Sequence, residues 1–240
     1  MGDLSFTMMP GELLCVVGPS GCGKTTLLKC LPGLLRPTSG LVTMEGSPVT
    51  GPSPAMALVF QEYGRSLYPW LTVQGDVELP LRHKKLSRAE RDRRVADALD
   101  AVGLPQSARS HPWQLSGGMQ QRVAIARAIA YRPEVLIMDE PFAAVDAQTR
   151  ADLEDLVRDL HLNRGISTVF VTHDIDESVY LGERVLVLSH SPTRVREDLP
   201  RERDQLTTRA LPRFTELGTH VYPQIQRAGR APAPAPHPAS

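Results

Sequence analysis

The residues with the clearest chemical meaning form a glycine-rich run at positions 18–25, which reads Gly-Pro-Ser-Gly-Cys-Gly-Lys-Thr. The run has the spacing of a phosphate-binding loop, and it lies between the apolar segment Glu12 to Val17 and a predicted helix. Glycines let backbone N–H groups turn toward phosphate oxygens, and the helix that begins near Gly23 points its positive end at the same anion. Lys24 can reach the β- and γ-phosphates, while the Thr25 hydroxyl can bind Mg²⁺. The candidate nucleotide-binding residues here are Gly18, Pro19, Ser20, Gly21, Cys22, Gly23, Lys24, Thr25 and Thr26.

Two carboxylates follow a second apolar segment, Val135 to Met138. Asp139 would emerge beside the phosphate loop, where it could hold Mg²⁺ directly or through a water molecule. Glu140 could orient or deprotonate an attacking water molecule. Two acids can also simply end a strand before a turn at Pro141. The phosphate loop favours the functional interpretation, although kinases, GTPases and many ATPases share that loop.

A third pattern, Leu115-Ser116-Gly117-Gly118-Met119, stands at the start of a predicted helix. Ser116 is a good N-cap, and the two glycines would expose the helix N-terminus to an anion. Taken alone, the pattern fits an ordinary capped helix.

Together these segments resemble the ATPase subunits of ABC transporters, whose signature motif reads LSGGQ. The resemblance extends from about Leu4 to about Leu188 and includes six motifs in the order of the family. Gln61 follows Ala57 to Phe60 at the position of the Q-loop glutamine, and His173 stands at the position of the switch histidine. The D-loop position reads Ala144-Val145-Asp146, where the family usually has Ser-Ala-Leu-Asp.

The resemblance implies a role for each of these residues. Gln61 would contact Mg²⁺ or the attacking water, and His173 would bind the γ-phosphate and Glu140 through its two ring nitrogens. Asp146 would reach across to a second protomer. The signature residues would bind the nucleotide of the opposite subunit, and they are Ser116, Gly117, Gly118 and Gln120. ATP and Mg²⁺ are therefore the expected cofactors, and a homodimer or a pair of related ATPase subunits is the expected assembly.

Short strands alternate with helices along the sequence, which predicts an α/β fold with a mainly parallel sheet. The resemblance implies a P-loop NTPase core, an N-terminal antiparallel β region and an inserted helical subdomain at about residues 62–133. The ATPase domain would occupy residues 1–227, and the Pro/Ala-rich residues 228–240 would form a disordered tail. The predicted strands are Glu12–Val17, Ala57–Phe60, Val135–Met138, Thr168–Thr172 and Arg184–Leu188, and the predicted helices are Lys24–Leu31, Ser87–Val102, Met119–Ala130 and one that includes Leu153 and Leu160.

The segment before the phosphate loop predicts an unusual base site. In the family, an aromatic side chain well upstream of this loop stacks on adenine, whereas Phe6 is the sole aromatic residue before Gly18 in this sequence. Phe6 alternates with Leu4 and Met8, and this period of two predicts that it points toward a buried face. We therefore expect an antiparallel region that begins late, weak nucleotide binding and poor discrimination between ATP and GTP.

Composition limits the classes of function. Lysine plus arginine equal aspartate plus glutamate at 27 each, so no overall charge favours nucleic acid. No apolar run is long enough to cross a bilayer, and no signal peptide is evident, which predicts a cytoplasmic protein. The resemblance adds a peripheral position at the inner face of the membrane, with permease subunits as direct partners and a solute-binding protein as an indirect one. Free thiols are expected at Cys15, Cys22 and Cys30.

An importer ATPase is the leading functional interpretation. The runs Ser66–Val73 and Thr172–Leu181 most resemble the branch that takes up nitrate, sulfonates and taurine. The alternatives are a soluble ABC ATPase that acts on nucleic acid or ribosomes, which usually has two such domains or a long coiled coil, and a nucleotide-binding protein without hydrolysis. Tyr68, Pro69 and Trp70 are predicted to lie either in the core or, as the resemblance implies, against a permease helix. The basic residues of segment 82–94 are predicted to approach lipid or to form a solvated helix face.

Overall fold

One six-stranded sheet organises the chain, with the strand order β4-β5-β6-β1-β7-β8. A computed structural model describes residues 4–61, 66–190 and 193–200. Within this sheet, β4, β5, β6, β1 and β7 pair in parallel, whereas β8 is antiparallel to β7. A separate antiparallel hairpin contains β2 and β3. The strands are β1 Leu13–Val17, β2 Thr43–Met44, β3 Ser47–Pro48, β4 Met56–Val59, β5 Val135–Asp139, β6 Ser167–Thr172, β7 Arg184–Leu188 and β8 Val195–Pro200.

The central strand β1 is completely buried because helices cover both faces of the sheet. Its residues alternate between two apolar clusters. Leu13, Cys15 and Val17 pack into the larger cluster, and Leu14 and Val16 pack into the smaller one. Such unbroken apolar strands are typical of parallel sheets that are buried on both faces.

Several helices begin at a side chain that accepts a hydrogen bond from a backbone N–H of the first turn. The caps are Thr72, Ser87, Ser116, Asp146 and Asp174. Such caps satisfy backbone donors that would otherwise have no partner. The helices are α1 Lys24–Cys30, α2 Val73–Glu78, α3 Arg88–Ala101, α4 Gly117–Ala130, α5 Ala147–Arg164 and α6 Ile175–Leu181.

The parallel strands bring the predicted functional residues to one edge of the sheet. Gly18 directly follows β1, Glu140 directly follows β5 and His173 directly follows β6, while Gln61 stands two positions after the end of β4. Because these four strands are parallel, their carboxyl ends lie at the same edge, where α/β proteins usually bind ligands. The predicted α/β fold with a mainly parallel sheet is thus confirmed.

Most element boundaries differ from the predicted ones by one or two residues, and α4 begins at Gly117 where the prediction began at Met119. The alternation of Leu4, Phe6 and Met8 is confirmed, since all three pack against the smaller cluster. Residues 4–12 form no strand, however, and antiparallel pairing occurs instead in β2–β3 and β7–β8.

Two predicted segments lie outside the described residues: residues 62–65, where the predicted helical subdomain begins, and the predicted tail at 228–240. Across the described ranges, no helix is both long enough and apolar enough to cross a membrane.

Candidate functional site

The loop between β1 and α1 needs its glycines for two physical reasons. Gly21 and Gly23 have φ angles of 77° and 103°, which most side chains disfavour. A Cβ atom on Gly18 would lie 3.0 Å from the Leu188 Cβ and 3.1 Å from the Cys22 Sγ. The loop therefore packs closely against β7 while its backbone turns through left-handed conformations.

Lys24 lies within this loop, with only 7% of its surface exposed. Its Nζ donates to the carbonyl oxygens of Gly18 at 2.9 Å and Pro19 at 3.3 Å. The same ammonium lies 3.6 Å from Glu140 Oε1. The loop backbone thus places a positive charge between the phosphate loop and the carboxylate that follows β5.

Thr25 and Asp139 form the part of the site that could hold a magnesium ion. The Thr25 side chain lies near the buried Asp139 carboxyl. Burial raises the pKa of Asp139, and the Glu140 charge adds to that rise, whereas Thr25 and Lys24 lower the pKa. A hydroxyl beside a desolvated carboxylate is a donor set that suits Mg²⁺, because the cation would offset the cost of burying the negative charge. Gln61 is exposed at the same edge of the sheet.

Glu140 and His173 contact each other directly. Glu140 Oε2 lies 2.9 Å from His173 Nδ1, and the histidine side chain is exposed. Glu140 has a φ angle of 41°, which is rare for a residue other than glycine. Its N–H donates to the Val171 carbonyl at 2.9 Å, so the neighbouring strand β6 holds this conformation in place.

Two residues that the sequence analysis missed, Arg150 and Glu177, border a small cavity of about 40 Å³ next to Glu140 and His173. Arg150 is 3.5 Å from Asp174 and 3.7 Å from Glu177. Burial raises the pKa of Glu177, whereas the Thr172 hydroxyl and the Arg150 charge lower it. Arg150 thereby links the first turn of α5 to the segment that follows β6. In the sequence, Arg150 stands out only by its position four residues after Asp146, and this spacing does not identify Asp174 and Glu177 as its partners.

The signature segment is held by contacts within the same chain. The Ser116 hydroxyl accepts from the Met119 N–H at 3.3 Å, and Gln120 Nε2 donates to Pro112 O at 3.0 Å and Leu115 O at 3.2 Å. Ser116 and Gly117 are exposed, whereas Gly118 is buried. These hydrogen bonds stay within residues 112–120 and do not reach the phosphate loop.

Gly118 packs against the first turn of α5. A Cβ atom at this position would lie 2.2 Å from the Cγ2 atom of Thr149. Thr149 in turn donates to Asp146 Oδ1 through its N–H at 3.0 Å and to Oδ2 through its hydroxyl at 2.7 Å. These bonds cap α5 and lower the pKa of the exposed Asp146. The close approach at Gly118 therefore joins the signature segment to the D-loop position.

The surface after β4 presents aromatic rings. Trp70 is 71% exposed, and its ring centroid lies 5.3 Å from that of the exposed Tyr68. The alternative that these two residues belong to the core is therefore wrong. In segment 82–94 the arginines pair with nearby acids, as in Arg91–Glu78 at 3.1 Å and Arg94–Glu90 at 2.8 Å. This pairing favours the solvated helix face over the lipid-binding alternative.

Comparisons with known proteins relate the chain to one family. Residues 1–143 match the family model described as ABC transporter. The chain is 40% identical over 236 residues to the nitrate import ATP-binding protein NrtC of Synechococcus elongatus, a match that covers 95% of this chain and 36% of that relative. It is 42% identical over 196 residues to the taurine import ATP-binding protein TauB of Pelagibacter ubique, which covers 82% of this chain and 73% of TauB. The dimeric bacterial ABC transporter cassette MJ0796 superposes with a TM-score of 0.73 at 33% identity, covering 83% of this chain and 90% of the cassette.

Proposed function

The chain belongs to the ABC transporter family and is an ATP-hydrolysing cassette, and on that premise we propose that it drives the import of a small solute such as nitrate, a sulfonate or taurine. The two relatives named for nitrate and taurine import support this substrate class. The runs Ser66–Val73 and Thr172–Leu181 support the same class. Because an ATPase subunit acts on the solute through other subunits, its own residues define the class only broadly.

The observation that carries the proposed ATP hydrolysis is that Glu140 contacts both Lys24 and His173. Its Oε1 atom lies 3.6 Å from Lys24 Nζ, and its Oε2 atom lies 2.9 Å from His173 Nδ1. Lys24 and the backbone of the phosphate loop bind the β- and γ-phosphates of ATP. The Glu140 carboxylate accepts a proton from a water molecule as that water attacks the γ-phosphorus. The bond between the γ-phosphorus and the bridging oxygen breaks, which gives ADP and inorganic phosphate. His173 orients Glu140 and binds the γ-phosphate.

Thr25 and Asp139 would hold Mg²⁺, with Gln61 as a further ligand from the end of β4. The ion, when bound, would neutralise negative charge on the β- and γ-phosphates. The closeness of Thr25 to the buried Asp139 carboxyl supports this assignment. Other residues of the run 18–26 would donate backbone N–H groups to the phosphates, and these are Ser20, Gly21, Cys22, Gly23 and Thr26. Pro19 has no N–H, and it would shape the loop through its carbonyl, which accepts from Lys24 at 3.3 Å.

The second half of each nucleotide site would come from another protomer. Ser116 and Gly117 are exposed at the N-terminus of a fourteen-residue helix, and their contacts within the chain leave this end accessible. Such an end attracts an anion, which suits the γ-phosphate of a nucleotide held by the partner. Gly118 and Gln120 would support this contact, and Asp146 would face the partner across the interface. The dimeric state of the cassette MJ0796 supports this arrangement.

The assembly we propose places two such chains on permease subunits at the inner face of the membrane. The exposed Tyr68 and Trp70 would contribute to the permease contact. A solute-binding protein would act only through the permease, and nucleic acid has no part in the scheme. The ATPase domain would span residues 1–227 with a helical subdomain at about 62–133, followed by a tail at 228–240.

Mixing two inactive variants tests both hydrolysis and the shared site. Lys24→Ala damages the phosphate loop of its own protomer, whereas Ser116→Arg damages the site of the opposite protomer. A heterodimer of the two therefore contains one site with both defects and one intact site. With random pairing in a two-fold dimer, up to about a quarter of wild-type ATPase activity should return.

The two variants should carry different affinity tags so that heterodimers can be isolated, and each variant mixed with itself is the control. Isolated heterodimers should also retain ATP at the intact site. Heterodimers that neither hydrolyse nor retain ATP would show that Ser116 does not act across the dimer.

A further inference from the structure

An ion pair between the partly buried Arg127 and the completely buried Asp76 connects α4 to the segment Ser66–Trp70. Arg127, near the end of α4, donates from Nη1 to Ser66 O at 2.6 Å and from Nη2 to Ser66 Oγ at 2.9 Å. The Nη1 atom also donates to Asp76 Oδ1 at 2.9 Å. Asp76 lies on α2, is completely buried, and accepts the Tyr68 N–H at 2.7 Å through its other oxygen. One guanidinium and one carboxylate thus join α2, α4 and the segment Ser66–Trp70.

The same region is also attached to the loop that precedes the signature segment. The N–H groups of Val73 and Gln74, in the first turn of α2, donate to Ser110 O and Ala108 O, each at 2.9 Å. Residues 108–110 lead directly to the turn that ends at Ser116. Residues 66–76 are therefore bonded at two places. Arg127 holds them near the end of α4, and residues 108–110 hold them shortly before the signature segment.

The chemistry of the pair indicates a positioning role. Burial raises the pKa of Asp76, and the Tyr68 N–H and the Arg127 charge only oppose that rise. Because burying two charges is costly, an apolar pair of similar volume would often stabilise a fold as well or better. A planar guanidinium that donates to three acceptors instead fixes distance and direction.

The outer side of this unit is the aromatic surface of Tyr68 and Trp70, whose rings are exposed and 5.3 Å apart. We infer that Asp76 and Arg127 are positioning residues that make the segment Ser66–Trp70 and the signature helix move as one body. A displacement at Trp70 then changes the position of Ser116, and nucleotide binding at Ser116 changes the position of Trp70. This inference rests on the proposed function of Ser116 as a nucleotide contact.

Trp70 itself can report this coupling. The chain contains two tryptophans, so Trp113→Phe leaves Trp70 as the only one. In that chain, combined with Glu140→Gln to slow hydrolysis, saturating MgATP should change the Trp70 emission. Arg127→Lys keeps the charge but loses the fork, and it should reduce the emission change by a factor on the order of five or more. The affinity for a fluorescent ATP analogue should stay within about threefold, because Arg127 contacts no phosphate-loop residue.

Arg122→Lys is the matched control, since Arg122 lies on the same helix but donates to Val102 O at 2.9 Å, away from the segment Ser66–Trp70. It should leave the emission change intact. Asp76→Asn keeps the shape but replaces one of the two accepting oxygens with an NH2 donor, so it loses the bond to Arg127 or to the Tyr68 N–H. It is the second test and should reduce the emission change in a chain that still folds.

A full Trp70 response in Arg127→Lys and Asp76→Asn would overturn the inference, and so would a silent Trp70 in the parent chain with ATP bound. A loss of response that is equal in Arg122→Lys would also overturn it, since any weakening of α4 would then suffice. Failure of the parent chain to bind ATP at all would contradict the proposed function instead.

Discussion

Gly118→Ala tests whether the signature segment and the D-loop position are joined by direct packing. The added methyl group would lie 2.2 Å from Thr149 Cγ2, far inside van der Waals contact. Thr149 cannot simply rotate away, because its hydroxyl is bonded to Asp146 Oδ2 at 2.7 Å and rotation about χ1 would break that bond. The clash must therefore separate the first turns of α4 and α5 or remove the cap of α5.

The cost of this clash can be estimated from known effects of overpacking. Adding a methyl group to a well-packed site destabilises a protein by about 1–3 kcal/mol. For a domain of this size, each kcal/mol lowers the melting temperature by roughly 2–4 °C. Gly118→Ala should therefore lower the melting temperature by about 2–12 °C. It should also reduce ATPase activity, because the displaced helix carries Ser116.

A second substitution separates the steric effect from a direct effect on the nucleotide. Thr149→Ser removes Cγ2 but keeps the hydroxyl bond to Asp146, and the next atoms that the new methyl would meet are 3.6 Å and 3.7 Å away. The double variant should therefore recover most of the lost melting temperature, with Thr149→Ser alone as the control. Recovered stability with low activity would mean that the methyl group obstructs the nucleotide of the partner. If the double variant is as unstable as Gly118→Ala, the packing argument is wrong.

Two further substitutions test the catalytic and packing arguments. Glu140→Gln should retain ATP binding but lower turnover by about 10²–10⁴-fold, since it removes the general base; turnover near the wild-type rate would refute the role of Glu140. Gln121→Met should raise stability by on the order of 1 kcal/mol, because the Gln121 amide is completely buried and its two polar atoms have no hydrogen-bond partner within the described part of the chain. Thermal unfolding measures this change, and a destabilised variant would show that the amide is satisfied.

The sequence predicts the parts of the site that depend on local chemistry. Gly18, Glu140 and His173 each stand directly after an apolar strand, and a parallel sheet collects such positions at one edge. Their convergence therefore follows once the strands are recognised, and the contacts from Lys24 to Glu140 and from Glu140 to His173 agree with it. The predicted cap at Ser116 is also confirmed, and it is local because a cap bonds only the first turn of its own helix.

Contacts between distant segments could not be predicted in this way. Arg150 and Glu177 meet across two elements, and neither residue type nor spacing identifies the pairing. The closeness of Gly118 to Thr149 depends on how α4 and α5 cross, which no local pattern encodes. The antiparallel strand β8 was also missed, since its residues alternate between half-buried and exposed positions at an edge of the sheet.

The backbone of Glu140 explains how two successive carboxylates can serve one site. In a regular strand, adjacent side chains point to opposite faces of the sheet. Asp139 contacts Thr25 and Glu140 contacts Lys24, so both carboxylates face the start of α1. The left-handed conformation at Glu140, with φ at 41°, ends the alternation and turns its side chain to the side of Asp139. Such a conformation costs on the order of 1–3 kcal/mol, and it persists only where surrounding contacts impose it. Here the N–H bond to Val171 and the side-chain contacts to Lys24 and His173 supply them, which makes the strained residue part of the catalytic geometry.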